Sequence, residues 1–155
     1  MAFQRVATQI SVADLDRSTR FYCDGLGFKE GPSSGMQVAE PGSEIAKMLG
    51  MPSARFQSRI LLRSDGNLEM IQYYDPTPQR DPTSAAPRVG ATGMLFNCPD
   101  APSAAARLVE LGGTLTYGGK DGATGQFHSY FVFDPDGIRI QLTSLPEEVM
   151  KQMMS

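Results

Sequence analysis

The chain has no tryptophan, a single histidine (His128) and two cysteines, Cys23 and Cys98, among its 155 residues. Two cysteines, one inside a predicted helix and one at a predicted strand end, are no disulfide framework and read as reduced, packed residues. An isolated histidine rarely acts without an orienting partner, so His128 reads as a hydrogen-bonded or exposed strand residue. No apolar run approaches the roughly 18 residues of a membrane span, and no charged-then-apolar leader pattern opens the chain, which predicts a cytoplasmic protein with no membrane partner. The 14 Lys and Arg residues are scattered and outnumbered by 17 Asp and Glu, for a net charge of −3. Nucleic acid and anionic membrane need a concentrated basic surface, and none is present.

What is present is a legible hairpin. In Tyr130-Phe-Val-Phe-Asp134-Pro-Asp-Gly137-Ile-Arg-Ile-Gln-Leu142, proline fixes φ at the second turn position, aspartate caps locally and glycine takes the φ that other residues resist. Ile138, Ile140 and Leu142 then alternate with Arg139 and Gln141, giving one packed face. A weaker copy runs from Arg59 to Tyr73 around Asp65-Gly66. A second pair also matches: Val12-Ala-Asp14-Leu15 leading to Leu26-Gly27-Phe28, and Cys98-Pro-Asp100-Ala101 leading to Gly112-Gly113-Thr114. These are two half-domains of one design. Asp100 follows Asp14 by 86 residues but Asp136 follows Asp65 by only 71, so the first half carries 15 extra residues. Pro41 to Pro52 has no counterpart in the second half and fits that excess.

Taken in order, Arg5 to Val12 alternates as a first strand, with Ala7, Gln9 and Ser11 on one face. Asp14 or Asp16 caps a helix with Leu15, Tyr22 and Leu26 on its inner face, ended by Gly25 and Gly27. A short strand from Phe28 to Gly31 follows, then an insert with a helical stretch from Glu44 to Leu49. That insert either covers a cavity mouth or packs Ile45, Met48 and Leu49 as a surface excursion. Residues 56–64 and 67–74 form the first hairpin. Thr92 to Cys98 repeats the first strand, Asp100 caps a second helix, and strands near Thr114 to Tyr117 and Phe127 to Phe133 precede the return strand. The predicted fold is α+β, two βαβββ modules in a single domain: module 1–75, linker 76–89, module 90–145 and a tail helix 146–155. Half-cores of roughly 70 residues would each be marginal alone. A ferredoxin-like fold is the rival, but it needs a second helix in each half.

The residues Val12-x-Asp14-Leu15-Asp16-Arg17-Ser18, Phe21-Tyr22, Leu26-Gly27-Phe28, Leu68-Glu69-Met70, Asp134-Pro135-Asp136-Gly137 and Ile140-Gln141-Leu142 carry a resemblance. The sequence resembles the vicinal oxygen chelate superfamily of glyoxalase I, bleomycin-resistance proteins and extradiol dioxygenases. The resemblance implies a glyoxalase-like pair of modules whose curved sheets enclose a cavity. It also implies four metal-ligand positions: one seven residues before each helix-capping Asp and one on the last strand of each module. Here those positions hold Ala7, Glu69, Gly93 and Gln141, of which only Glu69 ligates a divalent ion well. No metal and no other cofactor is therefore expected.

The remaining inward positions describe a pocket for an organic molecule. Glu69 is the candidate general base, and Tyr73 or Gln141 the candidate oxyanion donor. Gln9, Asn97, Phe131, Arg139 and Gln141 are the candidate ligand-binding residues. The expected activity is metal-independent proton transfer, of isomerase, epimerase or lyase type, on a small carbonyl or aromatic substrate. The alternative keeps Glu69 paired with Arg139 and makes the protein a non-catalytic binder that sequesters a drug or metabolite, as bleomycin-resistance proteins do. A homodimer is expected, with Met150, Met153 and Met154 of the tail supplying an adaptable apolar contact.

Overall fold

The computed structural model describes residues 5–32, 37–78, 93–120 and 128–154. The chain forms two compact units, Met1–Arg80 and Asp81–Ser155. In the first, β1 (Ala7–Ser11), α1 (Leu15–Leu26), β2 (Lys29–Glu30), β3 (Gln37–Ala39), α2 (Glu44–Met48), β4 (Arg55–Leu62) and β5 (Asn67–Asp75) follow in order. The second holds β6 (Gly93–Asn97), α3 (Ala101–Glu110), β7 (Thr114–Lys120), β8 (His128–Phe133), β9 (Arg139–Thr143) and α4 (Glu147–Met154). Residues 79–89 of the predicted linker, and Phe127 at the start of a predicted strand, lie outside the described residues.

Both sheets share one plan. The first runs β1-β5-β4-β2 with β3 also on β4, and the second runs β6-β9-β8-β7. In each, the first strand lies parallel to the last, and the others are antiparallel. This is the α+β architecture of two βαβββ modules, with one departure. The second strand of the first module is split: β2 pairs with Leu61 and Leu62 of β4, and β3 with Phe56 to Ser58. A strand of three residues is too short to show alternation, so β3 left no periodic trace in the sequence.

Helix α1 forms where its ends are chemically marked. Asp14 is the cap: its Oδ1 accepts from the Arg17 amide at 2.9 Å. Gly27, at φ 72°, ends it, and the Gly27 and Phe28 amides return to Cys23 O and Tyr22 O. Phe21 and Tyr22 are fully buried, whereas Leu26, predicted on the inner face, is only half-buried. Polar ties hold the helix to the sheet. Arg59 of β4 donates to Thr19 Oγ1 at 2.7 Å and to Asp16 Oδ1 at 3.0 Å, and Gln72 Oε1 accepts from the Leu15 amide at 3.0 Å.

The Arg17 amide hydrogen bond, ahead of the nearby charges, lowers the Asp14 pKa from its ordinary 3.8. A depressed folded-state pKa contributes stability above the unfolded value and loses it as pH falls through the folded one. Asp14→Ala is therefore expected to cost about 1 kcal/mol in urea titrations at neutral pH. That difference should shrink as pH falls below the ordinary 3.8 and through the lowered folded-state pKa. An equal penalty at neutral and at acid pH would show that the carboxylate is not the cap.

The two hairpins differ by one residue, and the structure shows where it goes. Strand pairing equates Ala7–Asn67 with Gly93–Arg139, so the first module exceeds the second by 14 residues between these partners, one fewer than the turns alone imply. The extra residue of the second hairpin is taken up by Asp134, whose Oδ1 accepts from the amides of both Asp136 and Ile138. Strand β7 runs on to Lys120 rather than stopping at Tyr117. Gly118 would read as a strand break, but a side chain there would collide with the ring of Tyr130 on β8, so its lack of one lets the two strands pair. Cys23 and Cys98 are both unpaired thiols, and burial pushes both pKa values up.

Candidate active site

Alternation divides each sheet into a helix-bearing face and an opposite one. In the first unit Leu68 and Met70 are buried on the α1 side with Gln72. The opposite face carries Ala7, Gln9 and Ser11 from β1, Glu69, Ile71 and Tyr73 from β5, and Phe56, Ser58 and Ile60 from β4. Gln9 and Glu69 are direct register partners across the parallel pair, and Gln9 Nε2 donates to Glu69 Oε2 at 2.6 Å. This contact joins residues 60 apart in the chain. It fixes one carboxylate oxygen by a charge-assisted bond.

Tyr73 stands two steps further along β5 on the same face, with Ile71 between. Its ring lies 5.4 Å from that of Phe56. Burial, and after it the Glu69 charge, raise the Tyr73 pKa above 10.0, so the phenol stays protonated at neutral pH and is a donor. A held carboxylate and a protonated phenol on one face are a base and an acid in kind. The insert packs over the far end of this face. Ala46 of α2, with Ala39 and Ala54, is fully buried against Phe56 and Ile71, and Ile45, Met51 and Tyr73 pack around them. Met48 and Leu49, predicted to pack, are instead 81% and 39% exposed. The five-residue helix turns Ala46 inward, with Ile45 packed beside it.

The other candidates fall in the second unit and share the face away from α3. Register places Gln141 between Leu95 and Phe131, and Arg139 between Gly93 and Phe133. The Arg139 guanidinium carbon lies 5.8 Å from the Phe131 ring centre, and Tyr117 packs edge-on to Phe131 at 6.1 Å. Leu95 and Tyr117 are about half exposed there, at 53% and 49%. Asn97 is engaged locally, since its Oδ1 accepts from the Leu145 amide at 2.6 Å and lies 3.5 Å from Thr143 Oγ1. His128 alternates with Ser129 and so shares the face of Tyr130 and Val132; its amide donates to Ser144 Oγ. The sequence alone does not mark Ser58 or Tyr117 as site residues. Their period-two spacing to Phe56 and Gly119 is the only signal it offers.

A model of the Glyoxalase/Bleomycin resistance protein/Dioxygenase superfamily matches residues 4–142. The chain belongs to this superfamily. Among solved structures, it is similar to a glyoxalase family protein from Bacillus cereus at TM-score 0.76 and 18% identity, covering 93% of this chain and 95% of that one. It is also similar to the trypanothione-dependent glyoxalase I of Leishmania major, at TM-score 0.64 and 22% identity, covering 99% and 93%. The fosfomycin resistance protein FosX from Mesorhizobium loti aligns at TM-score 0.58 and 16% identity over 100% of both chains. At such identities the likeness is one of fold. No curated protein matches the chain by sequence.

Membership in the superfamily raises the question of a metal, and the donor set answers it on chemistry. Ala7 and Gly93 offer no side-chain donor, and Gln141 offers a neutral amide. Glu69 is a good ligand, but one of its oxygens is already held by Gln9. Among the described residues, no group of three His, Cys, Asp or Glu side chains comes together as a cation site. The residues at these positions do not fit the superfamily's metal centre. Nor, among the described residues, is any helix long and apolar enough to cross a membrane.

Proposed function

We propose that this protein is a metal-independent proton-transfer enzyme of the glyoxalase superfamily, of isomerase, epimerase or lyase type, acting on a small carbonyl or aromatic substrate. The observation that carries the proposal is the Glu69 carboxylate held through one oxygen by Gln9, with the protonated Tyr73 on the same face. Glu69 takes a proton from the carbon next to the substrate carbonyl, and the resulting enolate oxygen accepts a hydrogen bond from the Tyr73 phenol. Returning the proton to the other face or to a neighbouring atom completes an epimerisation or isomerisation. Expelling a leaving group β to the carbonyl completes an elimination.

The second reading, a binder that sequesters a small molecule, is favoured by the second unit's face. There Gln141 stands where the first unit has Glu69, and Leu95, Tyr117, Phe131 and Arg139 offer stacking and one positive charge without an acid or base. In either reading the protein is a homodimer, with the exposed Val149 and Met153 of α4 at the contact.

The deciding experiment incubates chelator-treated protein in D2O with a panel of small ketones, hydroxyketones and aryl carbonyls. Deuterium uptake beside the carbonyl is followed by mass spectrometry. Uptake above the buffer rate that survives chelation is the expected result. Uptake that appears only when manganese, nickel or zinc is restored overturns metal independence, and binding without uptake leaves the sequestration reading standing.

A further inference from the structure

The face that carries Glu69 and Tyr73 also holds a hydroxyl that the fold does not use. Ser58 of β4 is the register partner of Ile71, so Glu69 and Tyr73 are its two diagonal neighbours on β5. Its side chain has no exposed surface, and its Oγ has no hydrogen-bond partner among the described residues. A finished core does not keep such a group. Alanine at this position would fill nearly the same space without burying an unpaired donor.

What covers Ser58's surroundings is lightly attached. The segment from Glu40 to Ala54 closes on itself: Gly42 N donates to Pro52 O, Ser43 N to Glu40 O, Met51 N to Ala46 O and Ala54 N to Met51 O. Toward the sheet it presents Ala46 and Ala54, with the partly buried Ile45 and Met51 packed around them, against Phe56 and Ile71. Met48 points to solvent. A loop closed on itself in this way can lift without breaking its own hydrogen bonds.

We propose that this segment is a cover over an inner subsite and that Ser58 is the polar anchor there. The subsite takes the apolar or aromatic end of a neutral ligand and gives one hydrogen bond to its carbonyl, hydroxyl or ether oxygen. The lining of Phe56, Ile71, Tyr73 and alanines is uncharged, and the neighbouring Glu69 carboxylate is already held by Gln9, so the inserted end is uncharged. The proposal rests on reading the Glu69 face as the ligand site and adds the selectivity of its inner end.

The test places a thiol at the anchor. Ser58→Cys, in a Cys23→Ser, Cys98→Ser background, is labelled with iodoacetamide in low urea. Labelling at least tenfold faster than global unfolding, insensitive to urea and slowed by millimolar acetophenone, is the expected result. Labelling only at the global unfolding rate, or labelling that acetophenone leaves unchanged, overturns the subsite. Should the cysteine variant not fold, Ser58→Ala decides: a melting temperature equal to or above wild type is expected. A drop of several degrees would mean that the hydroxyl is bonded in the folded protein, which overturns the proposal. Labelling does not depend on Glu69 chemistry. Fast, protected labelling without carbonyl exchange therefore removes the enzyme reading alone, and exchange without labelling removes the subsite alone.

Discussion

Replacing Glu69 with Gln is expected to lower carbonyl-adjacent deuterium uptake by about two to four orders of magnitude, the usual contribution of a positioned general base. The fold should be unmoved. Gln has the same shape, and its side-chain oxygen can still accept from Gln9 Nε2, which now holds the carboxylate at 2.6 Å. What is lost is only the ability to take a proton. The melting temperature should stay within a few degrees of wild type, and affinity for an unreactive substrate analogue should fall little. Uptake that persists in the variant would remove Glu69 as the base and leave the Gln9–Glu69 pair as a cross-strand tie. Loss of uptake together with loss of fold would be uninformative for Gln but not for Asp, which keeps the charge and retracts it by one methylene. Glu69→Asp should retain partial activity, because position as well as basicity is being tested.

The parts of this molecule that are legible in the sequence are those decided locally. Asp134-Pro-Asp-Gly137 announces its turn, Asp14 and Asp100 announce helix starts, and the odd–even alternation of β5 and β9 separates the faces before any coordinates are known. The doubled pattern announces two modules. What the sequence hides depends on partners distant in the chain. Gln9 and Glu69 meet only through parallel pairing, which has no short turn to betray its register. The pattern marks both residues but not their contact. Ser58 is an ordinary strand serine by pattern; only the structure shows that it is closed off and unpaired. The split of the second strand into β2 and β3 follows from both finding room along β4, a fact of tertiary pairing alone. Asn97 looks like a ligand-facing amide in the sequence, and its engagement with the Leu145 amide is visible only once β6 and β9 are side by side.

Asp134→Ala is expected to destabilise the second unit by about 2–4 kcal/mol. Asp134 is 3% exposed, and its Oδ1 accepts from Asp136 N at 2.9 Å and Ile138 N at 2.7 Å. Removing it leaves two amides without their acceptor in a part-buried turn. The backbone bonds that help close the turn stay in place: Gly137 N to Asp134 O at 3.0 Å and Asp134 N to Ile138 O at 2.8 Å. The consequence reaches the site because this turn absorbs the extra residue of the second hairpin. A slip of one position between β8 and β9 would send Arg139 and Gln141 to the α3 face and Ile140 to the other, exchanging the ligand-facing set for the core. Urea denaturation should therefore show the stability loss, and hydrogen exchange should show weakened protection across Phe131–Gln141 before global unfolding. Asp134→Asn keeps an acceptor in place and should lose less than half as much. A loss within about 0.5 kcal/mol for the alanine variant, the range of an ordinary surface change, would mean that the backbone bonds alone set the turn and its register.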